Sequence, residues 1–406
     1  MKILYNLPKK IIFCKNCVTP NQYPASIPEF KHTKDRQNAK YINFSKEGIC
    51  DACVQAEIKK TINWKKREKE LLKLLDKHRK NNGEFDCIVP GSGGKDSSYQ
   101  AHILKYKYGM NPLTVTWPPI LYTDYGKRNF ENWLSIGGFE NITHKPNPKI
   151  LKMLTKLAIE NLLHPFQTFI LGQKNFAPYL AAKLNVKLVF YGENEAEYGN
   201  PLADNSKSLR DKSFFTMENL ENVYLSGIKV KDLISKYNLK LSDLKVYLPL
   251  EAEAYKKSKI QIHYLGYYLK WVPQEVYYYA VENTGFRARP HRTEGTYSKY
   301  NSIDDKIDDL HFYTRFIKFG FGRCTSEASQ EIRNNHITRE EAKALVKRFD
   351  GEFPERYFED IMKYLDIKPE YFLRLVDQFR SPHLWKKIGK DKWKLLHTVN
   401  KDGADD

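Results

Sequence analysis

The stretch Cys87-Ile-Val-Pro-Gly-Ser-Gly-Gly-Lys-Asp-Ser-Ser98 decides how the chain is read. Residues 85–90 form a short apolar run, residues 91–98 are rich in glycine and serine, and residues 99–106 resume helical spacing, so the order is strand, tight turn, helix. Glycines let backbone N–H groups close around phosphate oxygens, and a helix N-terminus adds partial positive charge. Ser92, Ser97 and Ser98 can supply hydroxyl hydrogen bonds and Lys95 can neutralise phosphate charge. Asp96 cannot help phosphate directly; it either holds Mg²⁺ or caps the helix. The spacing is neither the Walker A pattern nor the dinucleotide pattern G-x-G-x-x-G.

Downstream the pattern alternates: strand over 113–117, helix over 127–136, strand over 141–144, helices over 148–163 and 175–184, strand over 187–191. That order predicts a doubly wound α/β domain with helices on both faces of a parallel sheet. Ligands in such sheets sit beyond the carboxyl ends of the strands, so Thr116, Trp117, Gly192, Glu193 and Asn194 are expected near the glycine-rich loop. Trp117 either lines an adenine site or packs in the core. Gly192-Glu-Asn-Glu-Ala-Glu197 concentrates carboxylates after a buried strand, which suggests Mg²⁺ on Glu193 with Asn194 as a neutral partner; the alternative is a solvated acidic loop. Asp124-Tyr-Gly126 reads as a turn. Residues 200–260 read as an insertion before a further strand over 260–265. Arg287, Arg289 and Arg292 either clamp a substrate anion or belong to a surface loop. Residues 302–309 open a helix whose early acids the helix dipole accounts for, and the rest of the chain reads as helical.

Cys14-x-x-Cys17 and Cys50-x-x-Cys53 are two pairs of thiols at the spacing of a tetrahedral zinc site, and predict a closed, structural zinc-ribbon-like module. Disulfides and an iron–sulfur cluster are the competing readings; no export signal is evident, which favours a reducing cytoplasmic compartment and zinc. Cys87 and Cys324 read as packed small residues. The expected organisation is a four-cysteine zinc module over 1–60, a linking helix over 61–82, the nucleotide domain over 83–320 and a helical region over 321–406. The 67 Lys and Arg against 49 Asp and Glu give a formal charge of +18, and residues 1–80 hold 19 basic and 8 acidic side chains, so +11 of it is N-terminal. A basic face attracts any anion, and here it suits a protein partner or an anionic sugar. No apolar run is long enough to span a bilayer.

Ser92-Gly-Gly-Lys-Asp-Ser97 resembles the SGGxDS loop of the ATP pyrophosphatase (PP-loop) superfamily. Together with the cysteine pairs, Thr116-Trp117, Leu121-Tyr-Thr-Asp124, Tyr191-Gly-Glu-Asn194, Phe319-Gly-Phe-Gly-Arg323 and His336-Ile-Thr-Arg-Glu-Glu-Ala342, it makes the chain similar to the N-acetyl sugar amidotransferase family of bacterial surface glycan biosynthesis. The resemblance implies ATP bound at Ser92, Gly93, Gly94, Lys95, Asp96, Ser97, Thr116, Trp117 and Gly192, catalysis by Lys95, Asp96, Glu193 and Asn194, and Mg²⁺ on Asp96 and Glu193. It also implies conversion of a sugar acetamido group to an acetamidino group, with ammonia from a separate glutaminase and a cyclase-like subunit. The acceptor would be an anionic sugar such as pseudaminic acid, legionaminic acid or a nucleotide-linked uronic acid. The rival reading is a tRNA-modifying, thiolating PP-loop enzyme, for which salt-sensitive RNA binding would be the mark.

Overall fold

Five parallel strands form the central sheet of the computed structural model, which describes residues 2–36, 39–193 and 207–401. They are β1 (Cys87–Pro90), β2 (Pro112–Thr116), β3 (Asn141–Thr143), β4 (Leu188–Tyr191) and β5 (Gln261–Tyr264), in the spatial order β3-β2-β1-β4-β5. Cys87 pairs with Pro112 on one side and Leu188 on the other, and Leu188 pairs in turn with Gln261. The chain leaves β1 toward one edge and β4 toward the other, so the strand order reverses between them. In a doubly wound sheet that crevice is where a ligand binds.

Side chains alternate across the pleat, and both faces are covered. Ile88, Leu113, Val115, Val189 and Ile262 pack against α5 (Pro148–Leu162) and α6 (Gln167–Lys183). Cys87, Val89, Leu188 and Phe190 pack on the other face. There they meet Leu71 and Leu75 of α2 (Trp64–His78), Ala101 of α3 (Lys95–His102) and Trp133 of α4 (Asp124–Ser135). The helix read as a linker thus covers a face of the sheet. It starts where expected, with the Asn63 side chain accepting from the Lys66 N–H. Residues 124–126, read as a turn, instead form the first turn of α4, where Thr123 Oγ1 accepts from the Gly126 N–H. A side-chain cap and a turn signal look alike in sequence.

Between β4 and β5 the described residues 207–260 fold into short elements. Phe215, Val223, Leu233 and Tyr247 of this stretch join the core beside α6. Beyond β5, α7 (Pro273–Thr284) lies against α3, with Tyr279 hydroxyl 2.8 Å from His102 Nδ1. Then follow α8 (Ile307–Phe319), α9 (Arg323–Arg333), α10 (Arg339–Phe349), α11 (Glu355–Leu365) and α12 (Pro369–Asp377). A short antiparallel pair, β6 (Trp385–Lys387) and β7 (Trp393–Leu395), follows the helices; the helical expectation for this end did not include it. The N-terminus returns to these helices. Tyr5 and Leu7 are buried with Ile317, Phe372 and Phe379, and α1 (Asp51–Thr61) begins at the second cysteine pair. No helix among the described residues is long and apolar enough to cross a membrane.

Gly172 of α6 is where the sheet and its covering helix come closest to Trp117. A β-carbon there would lie 2.0 Å from the indole, which is hemmed in by His144, Phe176 and Tyr247. Gly172→Ala should therefore destabilise the protein by about 1–3 kcal/mol, overpacking outweighing the better helix propensity of alanine. Urea unfolding would show this as a lower midpoint; an unchanged midpoint would refute the packing argument.

Candidate functional site

At the carboxyl end of β1 the backbone turns through Gly91–Gly94 and enters α3 at Lys95. Gly93 has φ of +83°, and a β-carbon on it would sit 2.6 Å from Phe130 Cα, so only glycine fits. The loop lines a cavity of about 330 Å³ together with Gln100, Asn129, Phe166, Phe169 and Gln173. The opposite wall is residues 300–305 and Asp308. Of the residues singled out from sequence, Ser92, Gly93, Gly94, Lys95, Asp96 and Ser97 are brought together here. Lys95 is buried, its ammonium donating to both oxygens of Asp96 at 2.7 and 2.8 Å. Ser92 Oγ donates to Asp304 Oδ2 at 2.7 Å, stitching the loop to the far wall.

Asp96, Asp304, Asp305 and Asp308 line the same cavity as Lys95. Burial, and then the charges of Asp304, Asp305 and Asp309, push the Asp308 carboxyl well above the usual carboxylate range. Burial also raises Asp304 and lifts Asp305 to about 7. Asp305 is structural, accepting from the N–H groups of Ile120, Leu121 and Ile307. The helix dipole accounts for Asp308, in the first turn of α8, but not for Asp304 and Asp305, which precede the helix. The run Asp304-Asp-Lys-Ile-Asp-Asp309 was the signal in the sequence, since an acidic pair outside a helix needs another reason. These aspartates line the cavity beside the glycine-rich loop, but their oxygens are not drawn together into a three-ligand cluster as the four thiols are.

Other expected residues lie elsewhere. Thr116 is buried, its hydroxyl accepting from Asn141, and Trp117 is a core residue stacked on His144, so neither lines the cavity. Gly192 packs against Trp271, and Glu193 accepts from Gln330 Nε2 at 3.2 Å rather than joining the aspartates. Asn194 lies outside the described residues. The three arginines do not line the cavity either. Arg287 is exposed and its main chain is held by Asn129, Arg289 is buried 4.0 Å from Asp309, and Arg292 forms a two-pronged pair with Glu352. The guanidinium groups of Arg289 and Arg292 are used for holding the 287–296 loop, to Asp309 and to Glu352. Sequence alone cannot tell that use from a substrate clamp, because both need clustered cations.

The four paired cysteines are buried within one cluster. A tetrahedron of metal–sulfur bonds of about 2.3 Å has edges of about 3.8 Å. Cys14 and Cys53 Sγ are 3.8 Å apart and Cys17 and Cys50 Sγ 3.7 Å apart, so the thiols fit a metal such as zinc. Four ligands close the coordination sphere, which makes the site structural. Arg339 donates to the carbonyls of Cys14 and Cys17, tying the cluster to α10. Cys87 and Cys324 are fully buried, and burial raises both thiols, so neither is an available thiolate.

Residues 294–400 match the family model described as "LPS biosynthesis protein WbpG-like, C-terminal domain". The matched stretch includes Asp304 and Asp308 and connects this part of the chain with glycan biosynthesis. The chain is also 38% identical over 76 residues to an uncharacterized protein of Methanocaldococcus jannaschii; the match covers 19% of this chain and 27% of that relative.

Purified protein should carry one zinc per chain by elemental analysis, and Cys17→Ala/Cys50→Ala should carry none and lose thermal stability. Metal-free wild type of undiminished stability would exclude a structural metal.

Proposed function

We propose that the chain is an ATP-dependent amidotransferase that converts the acetamido group of a sugar to an acetamidino group in bacterial surface glycan biosynthesis. The observation that carries this reading is the glycine-rich loop opening at the switch point of the sheet into a cavity walled by carboxylates. The glycan-biosynthesis match of residues 294–400 supports the acceptor class.

An amide is a poor electrophile because its oxygen leaves badly. Attack of the acetamido oxygen on the α-phosphorus of ATP breaks the bond to pyrophosphate and gives an imidate carrying AMP. Ammonia then adds at the imidate carbon, a proton is lost, and the C–O bond breaks as AMP leaves, so that NH replaces O. No step needs a covalent enzyme nucleophile, in keeping with two inert buried thiols at Cys87 and Cys324. Those thiols weigh against the tRNA-thiolating reading for the same reason.

The loop N–H groups and the hydroxyls of Ser92 and Ser97 would cradle the phosphates, and Lys95 would offset their charge. In this reading Asp96, with Asp304 or Asp308 on the cavity wall, would hold Mg²⁺ in place of Glu193. When bound, Mg²⁺ would offset the charge gathering on the departing pyrophosphate. Four carboxyl groups would otherwise repel a triphosphate. Zinc at Cys14, Cys17, Cys50 and Cys53 would hold the N-terminal module to α10, remote from the chemistry. Ammonia would come from a separate glutaminase through a cyclase-like subunit, because this chain carries no activated cysteine with a base. The basic N-terminal surface would dock that partner.

Incubation with ATP, Mg²⁺, ammonium and a panel of acetamido sugars should yield, by mass spectrometry, a product in which one amide oxygen is replaced by NH, with one pyrophosphate released per product. Ammonium should support turnover where glutamine alone does so poorly. Lys95→Ala and Asp308→Asn should each lower turnover about 100-fold or more. Pyrophosphate release stimulated by tRNA and by no acetamido sugar would overturn the assignment.

A further inference from the structure

A second cavity, of about 290 Å³, lies between the N-terminal segment, the turn after α5 and one face of α8. Its charges are opposite in sign to those of the first. Arg36, Lys174, Arg315 and Lys318 line it, against one carboxylate, Glu29.

Three of these cations are set against neutral groups. Lys318 is 3% exposed and donates to the Leu162 carbonyl at 2.6 Å, and Arg315 donates to Ser326 Oγ at 3.0 Å over the Phe321 ring. Arg36, 8% exposed, lies over Phe319, and its Nε has no hydrogen-bond partner among the described residues. Glu29 does not neutralise them by contact: His32 Nδ1 and His164 Nε2 sit 2.9 and 3.1 Å from its Oε1. Burial opposes the charge on Arg36 and Lys318, and Glu29, shared between them, offsets it only in part, so an anion entering the cavity would be stabilised by the basic groups around it. Guanidinium groups fit a carboxylate in particular. His164 and His311 add buried, unpartnered Nδ1 atoms suited to hydroxyl groups. Divalent metal on Glu29, His32 and His164 is disfavoured by the same cations.

The two cavities share walls. Phe166 and Phe169 face the first while His164 and Ile170 face the second. Asp308 lies in the first, and His311, Arg315 and Lys318 continue along the same face of α8 into the second. Asp308 and Arg315 are seven residues apart, about 10 Å along the helix, a span that one substituted monosaccharide bridges. The His311 ring is 5.4 Å from Phe166.

We infer that this cavity is the acceptor subsite, in which Arg36, Arg315 and Lys318 bind the carboxylate of an acetamido sugar acid and direct its acetamido end toward the phosphate loop. This rests on the amide-activation reading for the identity of the ligand, while the anion site stands on its own charges.

Calorimetric titration of the full chain tests it with N-acetylneuraminate and glucuronate as carboxylated probes and N-acetylmannosamine as the neutral one. At least one sugar acid should bind and the neutral sugar at least tenfold more weakly. Arg36→Gln and Lys318→Met should each weaken the sugar acid about tenfold or more while leaving ATP affinity unchanged. Lys95→Ala should do the reverse, so a wild type that binds sugar acid but not ATP would count against the nucleotide reading alone. No binding of either sugar acid, equal binding of charged and neutral sugars, or unaltered affinity in both cavity variants would overturn the inference. So would a metal equivalent lost on His164→Asn, which would put a cation in the cavity instead.

Discussion

Buried carboxyl groups set against a glycine-rich loop are the constraint on which the rest of this molecule turns. Asp304 reaches the loop by accepting from Ser92, and that single bond joins the first strand crossing of the sheet to a segment more than 200 residues later. Asp305 fixes the same segment by taking the amides of Ile120 and Leu121, beyond β2. Asp308 follows on the first turn of α8. Groups so arranged raise one another's proton affinity, and a divalent cation relieves the repulsion at once. In the proposed reading the cavity would take a metal-bound triphosphate more readily than a free one.

α8 carries the consequence across the molecule. Its first turn is acidic and faces the loop, and its later turns present His311, Arg315 and Lys318 to a basic cavity. One rigid helix thus sets the distance between a site of negative charge and a site of positive charge. The proposed activation of an amide oxygen would use such a separation, with nucleotide and metal at one end and the sugar anion at the other. The four-cysteine cluster supports the arrangement from outside. Arg339 binds its carbonyls, and Thr19 reaches Ser329 of α9, so the N-terminal segment that supplies Glu29 and Arg36 is held to the same helices.

The sheet was legible because its signals are local. Apolar runs over 85–90, 113–117, 187–191 and 260–265 all emerge as strands, and the loop at 91–98 sits at the strand-to-helix turn its composition demands. The site was half legible. Residues Ser92 to Ser97 follow from spacing alone, but the wall opposite them depends on tertiary packing. Asp304 and Asp305 read as helix-start acids, but the helix begins only at Ile307, which leaves them before it and Asp308 in its first turn. Trp117 and Arg292 carried two readings each: an aromatic at a strand end and a cation-rich loop suit either ligand or fold, and here Trp117 stacks on His144 and Arg292 pairs with Glu352. The basic cavity was invisible, since Arg36, His164 and Lys318 come from three distant segments with no shared motif.

The central claim is that the acetamido oxygen is the atom activated by ATP. An acceptor sugar whose acetamido carbonyl carries oxygen-18, turned over with ATP and ammonium, tests it directly. The account predicts that the label appears in AMP and not in pyrophosphate or water, one atom per amidine formed. Label retained in the sugar, or released to water with unlabelled AMP, would contradict it.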